Sequence, residues 1–153
     1  MPLDPSKLTD ELVAIDESGP PKDIPAAIEK WSDAWAAYVK GATRITPASA
    51  TPMRSAFKSA MAAAFIPAPV PITFPTFLEA AMRAGWAAAI TTPPGVSITP
   101  APAPFAPTAL AAMVAGLASP DKKVGRAALA AVIHTWTITH IVVGPDGPSG
   151  PVA

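Results

Sequence analysis

The sequence contains no cysteine, which excludes disulfides and thiolate metal sites. Charged residues make up only 14% of the chain, and aromatic residues 7%. The apolar runs 109–118 and 127–133 fall short of the roughly 20 residues that a membrane-spanning helix needs. The N-terminal segment carries Asp4, Asp10 and Glu11 where a targeting signal would need an apolar core. We therefore expect neither a signal peptide nor a transmembrane segment.

Local signatures of catalysis are also absent. The chain has no G-x-S-x-G sequence, and the prolines that alternate with Gly144, Gly147 and Gly150 lack the amides that a phosphate would need. The only two histidines, His134 and His140, would stand roughly 20 Å apart on a strand, too far for one metal ion. We expect a non-enzymatic protein without catalytic residues, cofactors or metal ligands. A hydrolase with a non-local active site around one of these histidines is an alternative.

Proline, by contrast, is abundant, with 21 residues in a chain of 153, whereas its average share is about 5%. Many prolines lie in two stretches, 66–75 and 91–107, and others stand at the starts of apolar helical patterns. Because proline fits the first turn of a helix, they indicate boundaries between elements and not disorder. An alternative for 91–107 is a polyproline ligand for a partner's groove.

Between the prolines, apolar residues recur at steps of three and four, which predicts amphipathic helices. Ile28, Trp31, Trp35 and Val39 form the clearest stripe. The predicted helices span about 5–17, 24–40, 51–65, 75–90, 108–118 and 121–133. Since much of the apolar content is alanine, which has little surface to bury, the core must depend on a few large residues. We expect one core that includes Trp31, Trp35, Phe57, Trp86 and Leu129.

The segment 136–143 predicts a β-strand, because β-branched residues become frequent and two sets of side chains alternate before Gly144-Pro145 ends the run. A strand needs a neighbour, and the only other strand candidate is 96–99, which prolines flank closely. The partner strand therefore has to come largely from elsewhere.

We expect this strand to dock on another subunit. Its candidate interface residues are Trp136, Ile138, Ile141 and Val143, since no charge or proline among them would block strand pairing. The Gly/Pro-rich tail 144–153 is predicted to be an extended arm that follows the strand.

Charge is unevenly distributed although the net charge is zero. Residues 1–33 contain eight acids and three lysines, a net charge of −5, and the remainder carries +5. This division predicts either solvated helix faces in one domain or contact between the acidic end of one copy and a basic face of the next. The bases are scattered and not interleaved with aromatic residues, so we expect no nucleic-acid binding.

Taken together, these patterns predict a mainly α fold. We expect a compact bundle of about five to six short helices with Pro-rich connectors, a short C-terminal β-strand and a Gly/Pro arm. Residues 1–143 would form a single domain, and 144–153 the arm. An amphipathic adaptor or effector that acts on a membrane or a host protein is the alternative role, but the basic residues are few and dispersed for strong lipid binding.

The residues from Gly125 to Thr135, followed by a short Thr/Ile/Val run and the Gly/Pro tail, resemble small virion structural proteins of contractile-tailed bacteriophages. The Pro-Ala connectors at 66–72 and 93–107 add to this resemblance. It implies a multi-copy component of the tail, neck or baseplate, located in the virion and in the host cytoplasm during assembly. Other copies of the chain and other structural proteins would be its partners.

Overall fold

The computed structural model places six α-helices and three short strands in the part of the chain that it describes. That part comprises residues 3–42, 50–64, 73–88, 97–99, 107–138, 141–144 and 147–151. Only the backbone is described for the strands and for Ala64. The helices are α1 (Pro5–Glu17), α2 (Ile24–Val39), α3 (Ala50–Ala64), α4 (Phe74–Ala87), α5 (Pro107–Ala118) and α6 (Lys122–Thr137). The predicted mainly α bundle is therefore confirmed.

Aspartates and prolines define where the helices begin. Asp4, Asp23 and Asp121 cap α1, α2 and α6, and each carboxylate accepts a backbone amide of the first turn at 2.8 to 3.1 Å. Pro5 and Pro25 occupy the first turns of α1 and α2, where no amide is needed for the helix ladder. These starts agree with the sequence prediction.

Helix α6 continues four residues beyond its predicted end at 133, so the strand does not begin at Trp136. Leu129, Ile133, Trp136 and Thr137 are buried at helical spacing, and the Thr137 hydroxyl donates to the Ile133 carbonyl at 2.7 Å. This hydrogen bond satisfies the Thr137 hydroxyl inside the helix. The burial of Trp136 and Thr137 on the face of α6 that packs on the core therefore outweighs the β-propensity of the segment.

The helices pack around a core that contains four of the five residues expected there. Trp35 of α2 stacks on Phe57 of α3, with ring centroids 4.9 Å apart, and meets Trp86 of α4 edge to face at 6.0 Å. Leu129 belongs to the same buried cluster, whereas Trp31 is half-buried and packs against its edge. The predicted apolar stripe of α2 is therefore confirmed, with Trp31 at its margin.

The strands β1 (Ser97–Thr99), β2 (Ile141–Gly144) and β3 (Gly147–Pro151) form an antiparallel sheet in the order β1-β2-β3. Ile98 lies opposite Val142 on one side of β2, and Gly150 lies opposite Val142 on the other. β1 approaches α4, while the other two strands approach no described helix. Within the described backbone, the sheet is thus an appendage of the helical bundle.

Candidate functional site

The four predicted interface residues lie in different surroundings. Trp136 is 7% exposed and belongs to the helical core, which corrects its assignment as a strand residue. Ile138 caps the C-terminus of α6 and is 38% exposed. Ile141 and Val143 lie in β2, whose side chains are outside the described part. The docking role of these last three residues stays a prediction.

The described backbone pairs β2 on both sides, which restricts how the sheet could contact another chain. The free edges belong to β1, which has three residues, and to β3, which contains Pro148 and Pro151. Proline has no amide to donate, so a further strand would pair poorly along β3. Pairing with a strand of another chain would therefore be limited to three residues along β1 and interrupted along β3.

Helix α5 is poorly covered although it has no charged residue. Only Met113 and Gly116 of its 12 residues are buried. Its other side presents exposed alanines, and exposed alanines of α6 lie in the same helical hairpin. They are Ala111, Ala112, Ala115 and Ala118 of α5, and Ala127, Ala128 and Ala131 of α6. We call the four alanines of α5 the alanine surface.

Two glycines bring the helices of this hairpin close together. A Cβ on Gly125 of α6 would lie 2.3 Å from the carbonyl oxygen of Gly116 of α5, and a Cβ on Gly116 would lie 2.7 Å from the carbonyl oxygen of Gly125. Because backbone meets backbone at this crossing, only glycine fits at either position. The contact fixes α5 on α6 along one side and leaves the alanine surface outward.

A shallow cleft of about 190 Å³ lies between α1 and α2. Ala14, Ile15 and Ala34 form its apolar floor, and Glu11, Ser18, Lys30 and Asp33 complete its lining. Lys30 Nζ donates to Ser18 Oγ at 2.5 Å, and Ser18 Oγ in turn donates to the Ile15 carbonyl at 2.8 Å. The hydroxyl of Ser18 therefore caps the end of α1. The sequence alone does not indicate this cleft, although one alanine from each helix, Ala14 and Ala34, lines it.

A group of ion pairs joins α2 to α3. Arg54 of α3 pairs with Glu29 and with Asp33 of α2, the latter at 2.5 Å, and Lys58 also pairs with Glu29. Hydrogen bonds from Lys58 and then from Arg54 lower the pKa of Glu29 below its ordinary value of 4.5. These pairs connect the acidic first segment to the basic remainder inside one chain.

A second connection of this kind is largely buried. Arg126 of α6 donates Nε and Nη2 to the two carboxylate oxygens of Asp16 in α1, at 2.8 and 3.0 Å. Arg126 is 9% exposed, so the bidentate pair is shielded from solvent along most of its length. Together with the α2–α3 pairs, it shows that part of the predicted charge complementarity acts within the chain.

The only tyrosine of the sequence contacts one of the two histidines. The Tyr38 hydroxyl lies 2.8 Å from Nδ1 of His134, and the two rings meet edge to face. Burial raises the pKa of Tyr38 above its ordinary value of 10.0, against a smaller opposing effect of Thr137. Among the described residues no carboxylate forms an ion pair with His134, and His140 lies outside them.

Within the described part of the chain, no cluster of three or more His, Asp or Glu side chains could hold a metal ion. None of the described helices has the length and apolar character needed to cross a membrane. Compared with protein-family models, curated proteins and solved structures, the chain matches none of them. Its function therefore has to be inferred from its own surfaces.

Proposed function

We propose that this protein is a non-enzymatic structural component of a multi-subunit assembly and that α5 packs against a neighbouring subunit. The observation that carries this proposal is the low burial of a helix that has no charged residue, with only Met113 and Gly116 buried. An apolar helix face that stays open to solvent, as the exposed alanines of α5 do, is typical of an interaction site. Covering it would contribute roughly 25 cal/mol for each Å² of apolar area removed from water.

The geometry of the alanine surface fits close packing by another helix. Ala111, Ala115 and Ala118 follow one another at steps of four and three, so they form a stripe along one face of α5. A helix of 12 residues is about 18 Å long. Small side chains allow a neighbouring backbone to approach closely, as the Gly116–Gly125 crossing does on the opposite side. A helix or another flat apolar surface would therefore match it in shape.

The C-terminal residues from Ile138 onward supply a second contact in this proposal. Ile138 is exposed at the end of α6, directly before the segment that leads to β2. Since Trp136 and Thr137 belong to the core, a deletion that tests this contact has to begin after residue 140. Removal of 141–153 should leave the helices folded and weaken incorporation into the assembly.

The assembly we propose is a bacteriophage particle, in the tail, neck or baseplate. This part of the proposal is supported by the resemblance of residues 125–153 to small virion proteins. Mass spectrometry of particles purified from the source would test it. Detection of the chain at a fixed stoichiometry to the main structural proteins is expected, and its absence from intact particles would contradict the virion role.

The α5 contact is tested with a charged pair of substitutions, Ala111→Glu/Ala115→Glu. A matched control is Ala62→Glu/Ala80→Glu, which places the same charges on exposed positions of α3 and α4. Because all four positions are exposed, both variants should keep the thermal midpoint of the wild type. The α5 variant should lose incorporation into the native assembly while the control retains it. Equal incorporation of the two variants would contradict the proposed function.

A further inference from the structure

Helix α6 has a second apolar face, on the side that points away from the core. Its five members are exposed and carry no charge: Val124, Ala128, Ala131, Thr135 and Ile138. At about 100° per residue they fall within about 80° of the helix circumference, roughly opposite the buried face that includes Leu129 and Ile133. We call these five residues the α6 seam.

The seam differs from an ordinary solvent-facing side of a helix, which is polar. Val124 and Ile138, at its two ends, are 62% and 38% exposed, and they are two of the three exposed large apolar residues in the described part of the chain. Between them, the residues that can carry a charge are Arg126 and His134, and side chains of other helices in the bundle engage both. A helix that is apolar on all sides is normally covered on all sides. We therefore expect a partner on the seam.

The spacing of the seam identifies another α-helix as this partner. Its members follow one another at steps of four, three, four and three residues, which is the a/d repeat of coiled coils. Side chains with this repeat insert between those of a second helix that lies along them. The repeat therefore favours a helix over a β-strand or a loop.

The sizes of the side chains are symmetric about the middle of the seam. Val124 lies seven residues before Ala131, and Ile138 lies seven residues after it. Two helices that cross at an angle are closest at one point and diverge towards both ends. The small Ala131 fits the crossing point, and the larger side chains at the two ends fill the wider gaps. Such a surface complements a second copy of itself that is related by a two-fold axis.

The orientation of this pair follows from the amino-terminal end of α6. Lys122 and Lys123 are exposed there, directly before the seam. A parallel pair would bring these lysines of the two copies together. An antiparallel pair separates them by about 21 Å, the length of the seam, and places them at the carboxyl end of the partner helix, where cations are favoured.

From these observations we infer that the α6 seam pairs with the α6 seam of a second copy, antiparallel and about a two-fold axis at Ala131. Val124 of each copy then meets Ile138 of the other. The inference rests on the proposed function, because it names the chain itself as one of its partners in the assembly. It uses a different helix from the alanine surface, so α5 stays free for another neighbour.

The contact is small. A strip about 21 Å long and about 10 Å wide covers roughly 200 Å² on each copy, whereas stable interfaces bury about 800 Å² per partner. The pair of isolated chains is therefore weak, and further contacts in an assembly would reinforce it. A disulfide that traps the pair is the appropriate readout, since the chain has no cysteine of its own.

The experiment uses the full chain with single cysteines, mild oxidation and non-reducing gels that measure the linked dimer. Ala131→Cys should crosslink at least tenfold faster than Ala62→Cys, a control at an exposed position of α3, because the two thiols meet at the two-fold axis. Val124→Cys alone and Ile138→Cys alone should crosslink no faster than the control, since like positions lie at opposite ends of an antiparallel pair. A mixture of these two variants should crosslink rapidly as a heterodimer, which its intact mass identifies.

Two patterns of crosslinking would overturn the inference. One is a rate for Ala131→Cys equal to that of Ala62→Cys. The other is crosslinking of Val124→Cys and Ile138→Cys each with itself as fast as in their mixture. Circular dichroism would verify that the variants fold, as expected for exposed positions.

A charge placed in the seam gives an independent check. Added to the Ala131→Cys chain, Ala128→Glu should reduce crosslinking to the control rate, because pairing would bury the new carboxylate. Ala80→Glu, at an exposed position of α4, should leave crosslinking unchanged. Equal crosslinking of these two double variants likewise overturns the pairing.

These outcomes are separable from the fate of the proposed function, which is decided by incorporation of the α5 variant into the native assembly. If Ala111→Glu/Ala115→Glu loses incorporation but Ala131→Cys crosslinks no faster than the control, the proposed function stands and the pairing of the seams is overturned. If the predicted crosslinks form but the α5 variant is incorporated like its control, the pairing stands and the α5 contact is contradicted. Protection of Ala131→Cys from alkylation in the assembly, without a crosslink between two copies, would assign the seam to a different protein and overturn the second copy as its partner.

Discussion

The indole ring of Trp35 occupies the space in which any other residue at position 85 would place its Cβ. A Cβ built on Gly85 lies 2.2 Å from Cη2 and 2.4 Å from Cζ3 of Trp35. The same indole stacks on Phe57 and meets Trp86 edge to face, so it has no room to move away. At this point helices α2 and α4 are therefore in contact through the indole ring of Trp35 and the backbone of Gly85.

Gly85→Ala should destabilise the fold by about 1 to 3 kcal/mol, because the added methyl group overpacks the core. Denaturant unfolding would measure the change. In a Trp35→Phe background the same substitution should cost much less, since phenylalanine lacks the atoms that the methyl group meets. Additive effects of the two substitutions would contradict the contact between these residues.

Gly125→Ala should be more harmful than Gly85→Ala, and no neighbouring side-chain substitution should rescue it. The added Cβ would lie 2.3 Å from the backbone carbonyl oxygen of Gly116. Since every residue has this carbonyl group, no substitution at position 116 can remove the clash. Unfolding of the variant, compared with Ala131→Gly on the exposed side of α6, would measure this effect. In the control, the free energy of unfolding should fall by only about 0.5 to 1 kcal/mol, which is the usual cost of a glycine inside a helix. A stable Gly125→Ala variant would show that α5 and α6 do not cross at this point.

Asp16→Ala should cost about 3 kcal/mol, because it leaves the Arg126 guanidinium buried without its carboxylate partner. The double variant Asp16→Leu/Arg126→Met should recover much of the loss, since no charge then remains buried. Chemical denaturation of both variants and of Lys22→Ala, an exposed control, would decide this. If the double variant were as unstable as Asp16→Ala, the loss would not come from the unpaired guanidinium.

The alkaline titration of the protein should report the burial of Tyr38. Its pKa is raised in the folded state, so the unfolded chain releases the proton first, and stability is lost as the pH rises above 10.0. Because the sequence has a single tyrosine, the ultraviolet absorbance of tyrosinate belongs to Tyr38 alone. The absorbance should rise together with loss of the helical circular dichroism signal. A rise near pH 10 in a folded protein would contradict the described burial.

Acid should remove the contribution of Glu29. Its pKa is lowered by Lys58 and Arg54, so the charged form stabilises the fold above pH 4.5, and this stabilisation is lost as the pH falls through the lowered pKa. The difference in thermal midpoint between the wild type and Glu29→Gln should therefore be present at neutral pH and shrink below pH 4.5. A difference that stays constant down to pH 3 would show that the ion pairs contribute nothing.

The helices could be predicted because their local signals agree. Proline, an aspartate cap and apolar steps of three and four coincide at α1 and α2, and both begin at the expected residue. At the end of α6 the signals conflicted. The β-branched run around Thr135 favoured a strand, but Trp136 and Thr137 continue the buried face of Ile133, and burial decided the outcome.

The candidate sites could not be predicted in the same way, because they depend on what packs against each helix. Leu110, Met113 and Leu117 give α5 the pattern of a core helix, and nothing local shows that its alanine face stays uncovered. Asp16 and Arg126 lie 110 residues apart, so no periodicity connects them. The charge division predicted either solvated helix faces or contact between copies, and neither alternative included the ion pairs that join the helices of one chain.

The most direct test of the proposed function is the solvent accessibility of α5 inside the native assembly. Since the chain has no cysteine, Ala115→Cys and the control Ala62→Cys each introduce a single thiol. The rate of alkylation of each thiol would be measured in the isolated chain and in the purified assembly. We expect both thiols to react rapidly in the isolated chain and Ala115→Cys alone to be strongly protected in the assembly. Equal reactivity of the two thiols in the assembly would contradict the packing of α5 against a neighbouring subunit.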